Sequence, residues 1–189
     1  MPPKVILLDA CVLYSAPLRD LLLRLALHHL FRAHWTNQIH DEWAENLLRN
    51  RPTIKREAIE RTRQLMDRGV QGALISGYER RIDALQLPDA DDRHVLAAAI
   101  ESGAEAVLTF NLQDFPAAAL APHNMEALHP DAFVRQLLEH SAEEVIEAIK
   151  NLRGALRNPP KSAEEYLDAL TRCGLPDTAQ ALQKYIDQL

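Results

Sequence analysis

The sequence predicts an α/β fold, in which a parallel sheet is flanked by helices and followed by an all-helical C-terminal appendage. Two short apolar runs, at 4–8 and 106–109, are continuous rather than alternating, as is typical of strands buried on both faces. Helical patterns lie between the candidate strands, and this alternation favours parallel pairing through right-handed crossovers. The segment 130–189 contains helical patterns and no strand signal.

The first half of the chain contains two candidate strands and three candidate helices. The strands are 4–8 and 34–36, and the helices are 18–31, 37–48 and 53–68. Pro17 precedes the first helix, Asn37 can cap the second, and Gly69 closes the third. This part of the chain therefore predicts two strand-to-helix units in succession.

The second half begins with an ambiguous segment, in which 73–75 could form a third strand. Pro88 and an acidic cluster then precede a clear helix at 93–102. Gly103 follows this helix in the position where a left-handed residue often ends one. The strong strand at 106–109 leads into a polar loop at 111–115.

The appendage shows its own helix signals. A helix is predicted at 130–140, and Ser141 and Ser162 each begin a Ser-Ala-Glu-Glu capping-box pattern. The segment 158–161 separates two helices, and Asp177 can cap a further one. We therefore divide the chain into an α/β domain at residues 1–129 and a helical extension at 130–189. The extension could pack on the domain, form a dimer or receive a partner protein.

Composition is that of an ordinary globular chain. The 189 residues carry a formal charge of −6, with 47% hydrophobic and 25% charged residues. No apolar run reaches the roughly 18 residues of a membrane span. The chain start has no signal-peptide pattern and there are two cysteines, so we expect a cytoplasmic protein. The negative balance argues against coating nucleic acid by charge alone, but not against an enzyme with a local acidic site.

Acidic residues gather where the predicted strands end. Ligands of open parallel sheets bind outside the carboxyl ends of the strands. Asp9 ends the first strand, and Glu42 lies one turn into the helix after the second. The other polar residues near such ends are Asp41, Asp89, Asp91, Asp92, Asn111 and Asp114. If the loops share one rim, several carboxylates occupy a small volume.

Carboxylates held close together repel one another and raise one another's pKa values, which a bound cation relieves. Hard oxygen donors without a His or Cys array select Mg²⁺ or Mn²⁺. Such ions commonly act on phosphates, so the pattern favours metal-dependent phosphodiester hydrolysis. Each acid also has an ordinary structural explanation as a turn residue, a solvent-facing helix residue or a helix cap. Their shared placement at strand ends carries the inference.

Four segments in order carry a family resemblance. They are ILLDACVLY at 6–14, IHDEW at 39–43, PDADDRHVLAAA at 88–99 with Gly103, and VLTFNLQDFP at 107–116. Over about residues 4–130 the sequence resembles PIN-domain ribonucleases, in particular the VapC-type toxins of bacterial toxin–antitoxin pairs. It looks like a subgroup with a helical C-terminal extension. The resemblance implies a PIN-like, Rossmann-like sheet.

The resemblance also implies roles for individual residues. Asp9 corresponds to the first metal-binding acid, Glu42 to the second and Asp92 to the third, with Asp91 as a close alternative. At the fourth position the family often has an acid, but Asn111 stands here. Asp114 can replace that acid, Thr109 can orient a carboxylate or water, and Asp89 can support the site. The implied cofactor is Mg²⁺ or Mn²⁺.

The implied partners are an RNA substrate, a cognate antitoxin protein and a second copy in a homodimer, with no membrane. Between 43 and 68 the chain has seven Lys or Arg and four Asp or Glu. This stretch follows Glu42 and could guide an RNA backbone, although a solvated helix face with ion pairs explains it equally well. The candidate RNA contacts are Arg49, Arg51, Lys55, Arg56 and Arg93.

Other function classes fit less well. A haloacid-dehalogenase-type phosphatase requires a second Asp two positions after Asp9, where Cys11 stands. A phosphoacceptor receiver domain requires a late Lys that is missing near Thr109. The serious alternative is a catalytically inactive PIN-like binding or scaffold module. The histidines show no metal spacing, and we expect His94 on a helix surface.

Overall fold

In the part of the chain that the structure describes, four short strands form one parallel sheet. The strands are β1 (Val5–Leu8), β2 (Arg32–His34), β3 (Ala106–Leu108) and β4 (Glu126–Leu128), in the spatial order β2-β1-β3-β4. All three pairings are parallel, which confirms the predicted α/β class. The computed structural model describes residues 4–157 and 159–189. Residues 1–3 and Asn158 lie outside the described residues. The signal-peptide prediction rests partly on residues 1–3, and the linker prediction rests partly on Asn158.

Helices connect the strands and cover the sheet. Those of the α/β part are α1 (Ala10–Tyr14), α2 (Ala16–Leu27), α3 (Asn37–Asn50), α4 (Arg56–Gly69), α5 (Arg93–Ser102) and α6 (Ala117–Leu120). Those of the appendage are α7 (Pro130–His140), α8 (Ala142–Ala155), α9 (Ala163–Arg172) and α10 (Pro176–Leu182). Short 3-10 turns occupy Glu79–Ala84, Leu112–Asp114, Ala121–His123 and Gln183–Gln188. Within the described ranges, no helix has the length and apolarity to cross a membrane.

The strand order places a switch point between β1 and β3. From β1 the chain crosses to β2 on one side, whereas β3 pairs with β1 on the other side. In open α/β sheets, ligands bind at the carboxyl edge of such a point. Ile6, Leu7 and Leu8 of β1 are completely buried, since helices cover both faces of the sheet. The residues that follow β1 and β3 are therefore the first polar groups to emerge there.

The strand predictions were correct for β1 and β3 and incomplete elsewhere. The segment 73–75 is not a strand and contributes a single bridge, from Leu74 to Trp35. β4 was missed, because its Glu126 is exposed and the segment contains no apolar run. The first long helix ends at Leu27, earlier than predicted, because the chain turns at His29 with φ 59°.

Of the helix N-caps predicted at Asn37, Ser141 and Ser162, only the capping box at Ser162 is confirmed. Asn37 is not the cap of α3; Thr36 is, and its Oγ1 accepts a first-turn N–H at 3.1 Å. The predicted capping box at Ser141 is wrong, because that side chain makes no cap hydrogen bond. The box at Ser162 is confirmed: its Oγ accepts the Glu165 N–H, and Glu165 accepts the Ser162 N–H at 2.9 Å.

The appendage packs on the α/β domain, one of the three roles considered for it. α2 packs against α8 and α9, and the apolar core runs continuously from the sheet into the appendage. The rings of Phe31 and Phe133 meet edge to face, with centroids 5.0 Å apart. Part of the core is thus shared between the two segments of the chain.

Asp131 joins two helices of the appendage. Its carboxylate is buried and accepts the backbone N–H of Asp177 at 2.9 Å and of Thr178 at 2.8 Å. These are first-turn donors of α10, so Asp131 of α7 satisfies groups that the helix itself cannot. The predicted cap, Asp177, is wrong, since this residue lies inside the first turn and donates to Asp131.

Replacing Asp131 with Ala should lower the free energy of unfolding by about 1–3 kcal/mol, because two first-turn N–H groups of α10, one of them buried, lose their acceptor. Urea denaturation followed by circular dichroism measures the change. Asp168→Ala, on the exposed face of α9, is the matched control and should change stability by no more than about 0.5 kcal/mol. Equal losses in the two variants would contradict the bridging role of Asp131.

Candidate active site

Asp9 lies at the switch point, and three groups donate hydrogen bonds to its carboxylate. It is 6% exposed and lies between β1 and α1. Thr109, directly after β3, donates its hydroxyl to Asp9 Oδ2 at 2.7 Å. The Ala10 N–H donates to Oδ1 at 2.6 Å, and the Cys11 thiol donates to Oδ2 at 3.0 Å. The carboxylate therefore has a fixed orientation at the sheet edge, and Thr109 is one of the three groups that fix it.

Cys11 serves Asp9 as a hydrogen-bond donor. Burial, and then the charge of Asp9, raise the pKa of the Cys11 thiol to about 12. A thiol in this environment stays protonated at neutral pH and is a poor nucleophile. The Phe110 N–H donates to its sulfur at 3.3 Å, which further fixes the group between β1 and β3.

A cleft of ≈ 430 Å³ opens beside Asp9. It brings together three of the predicted acids, Asp9, Glu42 and Asp92, with the predicted supporting residue Asn111. The remaining lining residues are Ala10, Cys11, Tyr14, Asn46 and Asn50. Carboxylates from three separate stretches of the sequence thus face one volume at the carboxyl edge of the sheet.

Asp92 is the acid whose environment is most perturbed. Burial, and then the charges of Asp9, Asp89 and Asp114, raise its pKa to about 6, against an opposing effect of His94. Asp92 directly precedes α5 but makes no side-chain cap bond, so capping does not explain it. A carboxyl with a raised pKa beside other acids is typical of functional sites.

The other predicted acids surround this cleft without lining it. Asp114 ends a 3-10 turn after β3, and both it and Asp89 are close enough to act on Asp92 electrostatically. Asp89 Oδ1 accepts the Asp91 N–H at 2.8 Å, which gives Asp89 a local turn role. Asp91 is exposed, so between the two candidates for the third acid, Asp92 is the one that lines the cleft.

Glu42 reaches the cleft from α3. A buried chain of hydrogen bonds sets the rotation of this helix. Trp43 Nε1 donates to His40 Nδ1 at 3.0 Å, and His40 Nε2 lies 3.0 Å from Asp67 of α4. Trp35, just after β2, donates to the same Asp67 oxygen at 2.8 Å. Because these bonds hold His40 and Trp43 toward the interior, Glu42 lies on the neighbouring face of α3, which is partly exposed.

The sequence reasoning missed several cleft residues. Asn46 and Asn50 lie four and eight positions after Glu42, so helical spacing could have placed them on the same face. Asn50 donates to the Tyr14 hydroxyl at 3.2 Å, which ties α3 to α1. The expectation that His94 lies on a helix surface is wrong, because its ring is buried and sits 2.7 Å from Glu42.

The donors of the cleft fit a hard divalent cation. Among the described residues, no three Asp, Glu, His or Cys side chains converge closely enough to hold an ion by themselves. Mg²⁺ retains several waters and is commonly bound by one or two carboxylates. Asp9 and Asp92 supply two carboxylates to the cleft. Burial and then the neighbouring charges raise the pKa of Asp92, and a cation would relieve the repulsion among those charges.

The predicted RNA contacts divide into two groups. Arg49 donates to the cleft residue Asn46 at 3.5 Å, and Arg51 lines an adjoining cavity that shares Tyr14 with the cleft. The second group comprises Lys55, Arg56 and Arg93, which line neither the cleft nor the adjoining cavity. Lys55 is exposed at the start of α4, Arg56 pairs with Glu45 at 2.9 Å, and Arg93 donates to the Ala90 carbonyl.

Two family models match this chain. The model described as PIN domain matches residues 5–113, which is more than half of the chain. This chain belongs to the PIN domain family. The matched range contains Asp9, Glu42 and Asp92. A second model, described as VapC50 C-terminal domain, matches residues 130–184, in the helical appendage that follows the PIN domain.

A known relative supports the same assignment. The protein named "Putative ribonuclease VapC50" from Mycobacterium tuberculosis (strain ATCC 25618 / H37Rv) is 39% identical over 102 residues. The aligned region covers 54% of this chain and 60% of the relative, which is less than two thirds of its length. No solved structure matches the chain significantly. The resemblance to VapC-type PIN proteins is thereby confirmed.

In the metal-free protein, Asp92→Asn should raise the melting temperature at pH 7.5. The folded pKa of Asp92 lies above its ordinary value of 3.8, so the folded state binds the proton more readily between about pH 4 and 6. Stability is therefore lost as the pH rises through that window. Discounted for solvent screening, removing the charge should stabilise by about 1 kcal/mol, or about 2–4 °C.

Differential scanning fluorimetry in EDTA at several pH values measures this effect. The gain should shrink as the pH falls below 6 and should vanish only below about pH 3, where Asp92 is protonated in both the folded and the unfolded state. Asp91→Asn, at the exposed neighbouring acid, is the matched control and should change the melting temperature much less. A gain that does not depend on pH would show that charge repulsion is not its cause.

Proposed function

We propose that this PIN-domain protein is a Mg²⁺- or Mn²⁺-dependent endoribonuclease. The observation that carries the proposal is the gathering of Asp9, Glu42 and Asp92 on one cleft at the switch point of the sheet. The repulsion felt by Asp92 in that cleft supports a site built for a cation rather than a set of solvated surface acids. The ribonuclease named among the relatives agrees with this proposal.

Asp9 and Asp92 would hold the metal ion. A divalent ion bound there would polarise a phosphoryl oxygen and lower the pKa of a bound water. The three donors to Asp9 keep its carboxylate oriented before any ligand arrives, so little reorganisation is needed on binding. Asp89, Asp91, Asn111 and Asp114 would add negative potential and hydrogen bonds around this pair.

Glu42 would act on the attacking water. Its carboxylate lines the cleft and is 35% exposed, so it can orient a water molecule or accept its proton. Attack by this water in line with the leaving oxygen would cleave the P–O3′ bond. The proton from the water would pass to Glu42, and a proton from solvent would complete the 3′-hydroxyl. The products would be a 5′-phosphate and a 3′-hydroxyl.

Arg49 and Arg51 would bind the RNA backbone next to the cleft. An acidic cleft repels phosphate unless cations lie nearby, and these two residues come from the end of the helix that carries Glu42. Arg56 would contribute more weakly because it pairs with Glu45, and Arg93 because it donates to the Ala90 carbonyl. Lys55, at the start of α4, would add an exposed positive charge.

We also propose that the protein is the toxin of a toxin–antitoxin pair, that it acts as a homodimer, and that a small antitoxin inhibits it by covering the acidic cleft. The VapC-type resemblance supports these partners. Light scattering measures the oligomer size of the purified protein. A homodimer should have twice the mass of the chain, and a monomer at micromolar concentration would contradict that part of the proposal.

Asp9→Asn should reduce Mn²⁺-dependent RNA cleavage by at least about 100-fold, because it removes one of two carboxylates proposed to hold the ion. Cleavage sites are mapped on total RNA by sequencing the new 5′ ends, with and without EDTA. The matched control, Asp168→Asn in the appendage, should cleave like the wild type. Equal cleavage by wild type and Asp9→Asn would overturn the proposed site.

Titration calorimetry with Mn²⁺ distinguishes the proposed enzyme from a catalytically inactive PIN-like module, because the inactive module should bind no ion.

Arg51→Ala should raise KM and leave kcat unchanged, because a phosphate contact contributes to binding and not to the chemical step. The slope of log affinity against log salt should become shallower by about 0.7 for single-stranded RNA. Lys150→Ala, on the exposed surface of α8, removes the same charge far from the cleft and should change neither quantity. An unchanged salt slope in Arg51→Ala would place the RNA path elsewhere.

A further inference from the structure

His94 and Glu42 form a close contact between two helices. His94 is in the first turn of α5, and its Nε2 lies 2.7 Å from Glu42 Oε1 on α3. The histidine side chain is 4% exposed, whereas that of Glu42 is 35% exposed. The histidine is therefore on the protein side of the contact, and Glu42 is the member that faces the cleft.

The other ring nitrogen indicates how the imidazole is used. His94 Nδ1 is buried and has no hydrogen-bond partner within the described ranges. A proton on Nδ1 would be a buried donor without an acceptor, which is costly. The proton is therefore placed on Nε2, where it is donated to the Glu42 carboxylate.

The surroundings of His94 argue against a purely space-filling role. The five residues after it in α5, Val95 to Ala99, are all buried and apolar. An apolar side chain would suit such a position without leaving a nitrogen unsatisfied. The polar atom that gains from the histidine is the Glu42 oxygen, in the cleft that also contains Asp92, two residues before His94.

We propose that His94 is a positioning residue, which holds the Glu42 carboxylate at the angle needed to act on the attacking water. This inference rests on the proposed ribonuclease function. Asp92 and His94 stand at the start of the same helix, so α5 orients two acids at once: Asp92 directly and Glu42 through the imidazole. Partners that orient functional carboxylates in this way typically contribute 10–100-fold to activity.

Two substitutions separate positioning from packing. His94→Gln keeps an N–H donor at the same number of bonds from Cβ as Nε2, whereas His94→Leu fills space without a donor. Under single-turnover conditions with Mn²⁺, we expect the Leu variant to cleave about 10–100-fold more slowly at unchanged KM. The Gln variant should recover most of this loss. In a Glu42→Gln background, His94→Leu should cause little further loss.

His34→Leu is the matched control. His34 is also buried, and its Nδ1 has no hydrogen-bond partner among the described residues, but it lies in β2 and does not line the cleft. The His34→Leu variant should have a lower free energy of unfolding, but its folded protein should cleave RNA at the wild-type rate. The inference is overturned if His94→Leu cleaves within threefold of the wild type, or if His94→Gln is as slow as His94→Leu.

A metal-free measurement tests the same contact without cleavage. A long-range ¹H–¹⁵N spectrum reports the His94 tautomer, which should carry its proton on Nε2 and should lose that proton's protection from exchange in Glu42→Ala. A proton on Nδ1 would overturn the inference. If the wild type cleaves no RNA, the proposed function fails, and the positioning of Glu42 is then decided by this spectrum.

Discussion

The pairing of β1 with β3 is the constraint on which the candidate active site depends. Leu8 pairs with Leu108, so the next residues, Asp9 and Thr109, stand side by side and share a hydrogen bond of 2.7 Å. A slip of one residue would draw the Asp9 carboxylate into the apolar interior, where a charge without partners is costly. The position of the first acid is therefore set by the apolar packing of two strands, and the other cleft residues are arranged around it by the helices.

Gathering carboxylates at this edge costs stability when no cation is bound. The cost falls mainly on Asp92, whose pKa is raised to about 6 by burial and by the charges of its neighbours. Natural proteins retain destabilised groups where function requires them. Turn formation accounts for Asp89, which accepts a local backbone N–H, but no comparable local bond accounts for Asp92. This difference is the reason that Asp92, and not Asp89, is proposed to bind the ion.

The sequence was most informative where a local pattern has one structural outcome. Continuous apolar runs gave β1 and β3, and the strand-end rule then placed Asp9 and Asp92 near each other. β4 could not be predicted, because it completes the sheet edge without an apolar run. The cap of α3 was assigned one residue late, because adjacent Thr36 and Asn37 can both cap and only the backbone geometry chooses. His94 was misjudged because its partner is on another helix, and no local pattern reports such a contact.

The helical appendage supports the cleft as well as the core. Phe110, which follows the residue that binds Asp9, packs edge to face on His129 at 5.1 Å. A Cβ at Gly174 would come within 2.8 Å of the Phe110 ring, so glycine permits the close approach of the appendage. Ser15 Oγ and Cys173 Sγ lie 3.0 Å apart on the same side. Truncation near residue 130 would therefore remove shared core and loop contacts together. Point substitutions on exposed faces of the appendage separate a role in RNA choice or oligomerisation from its structural role.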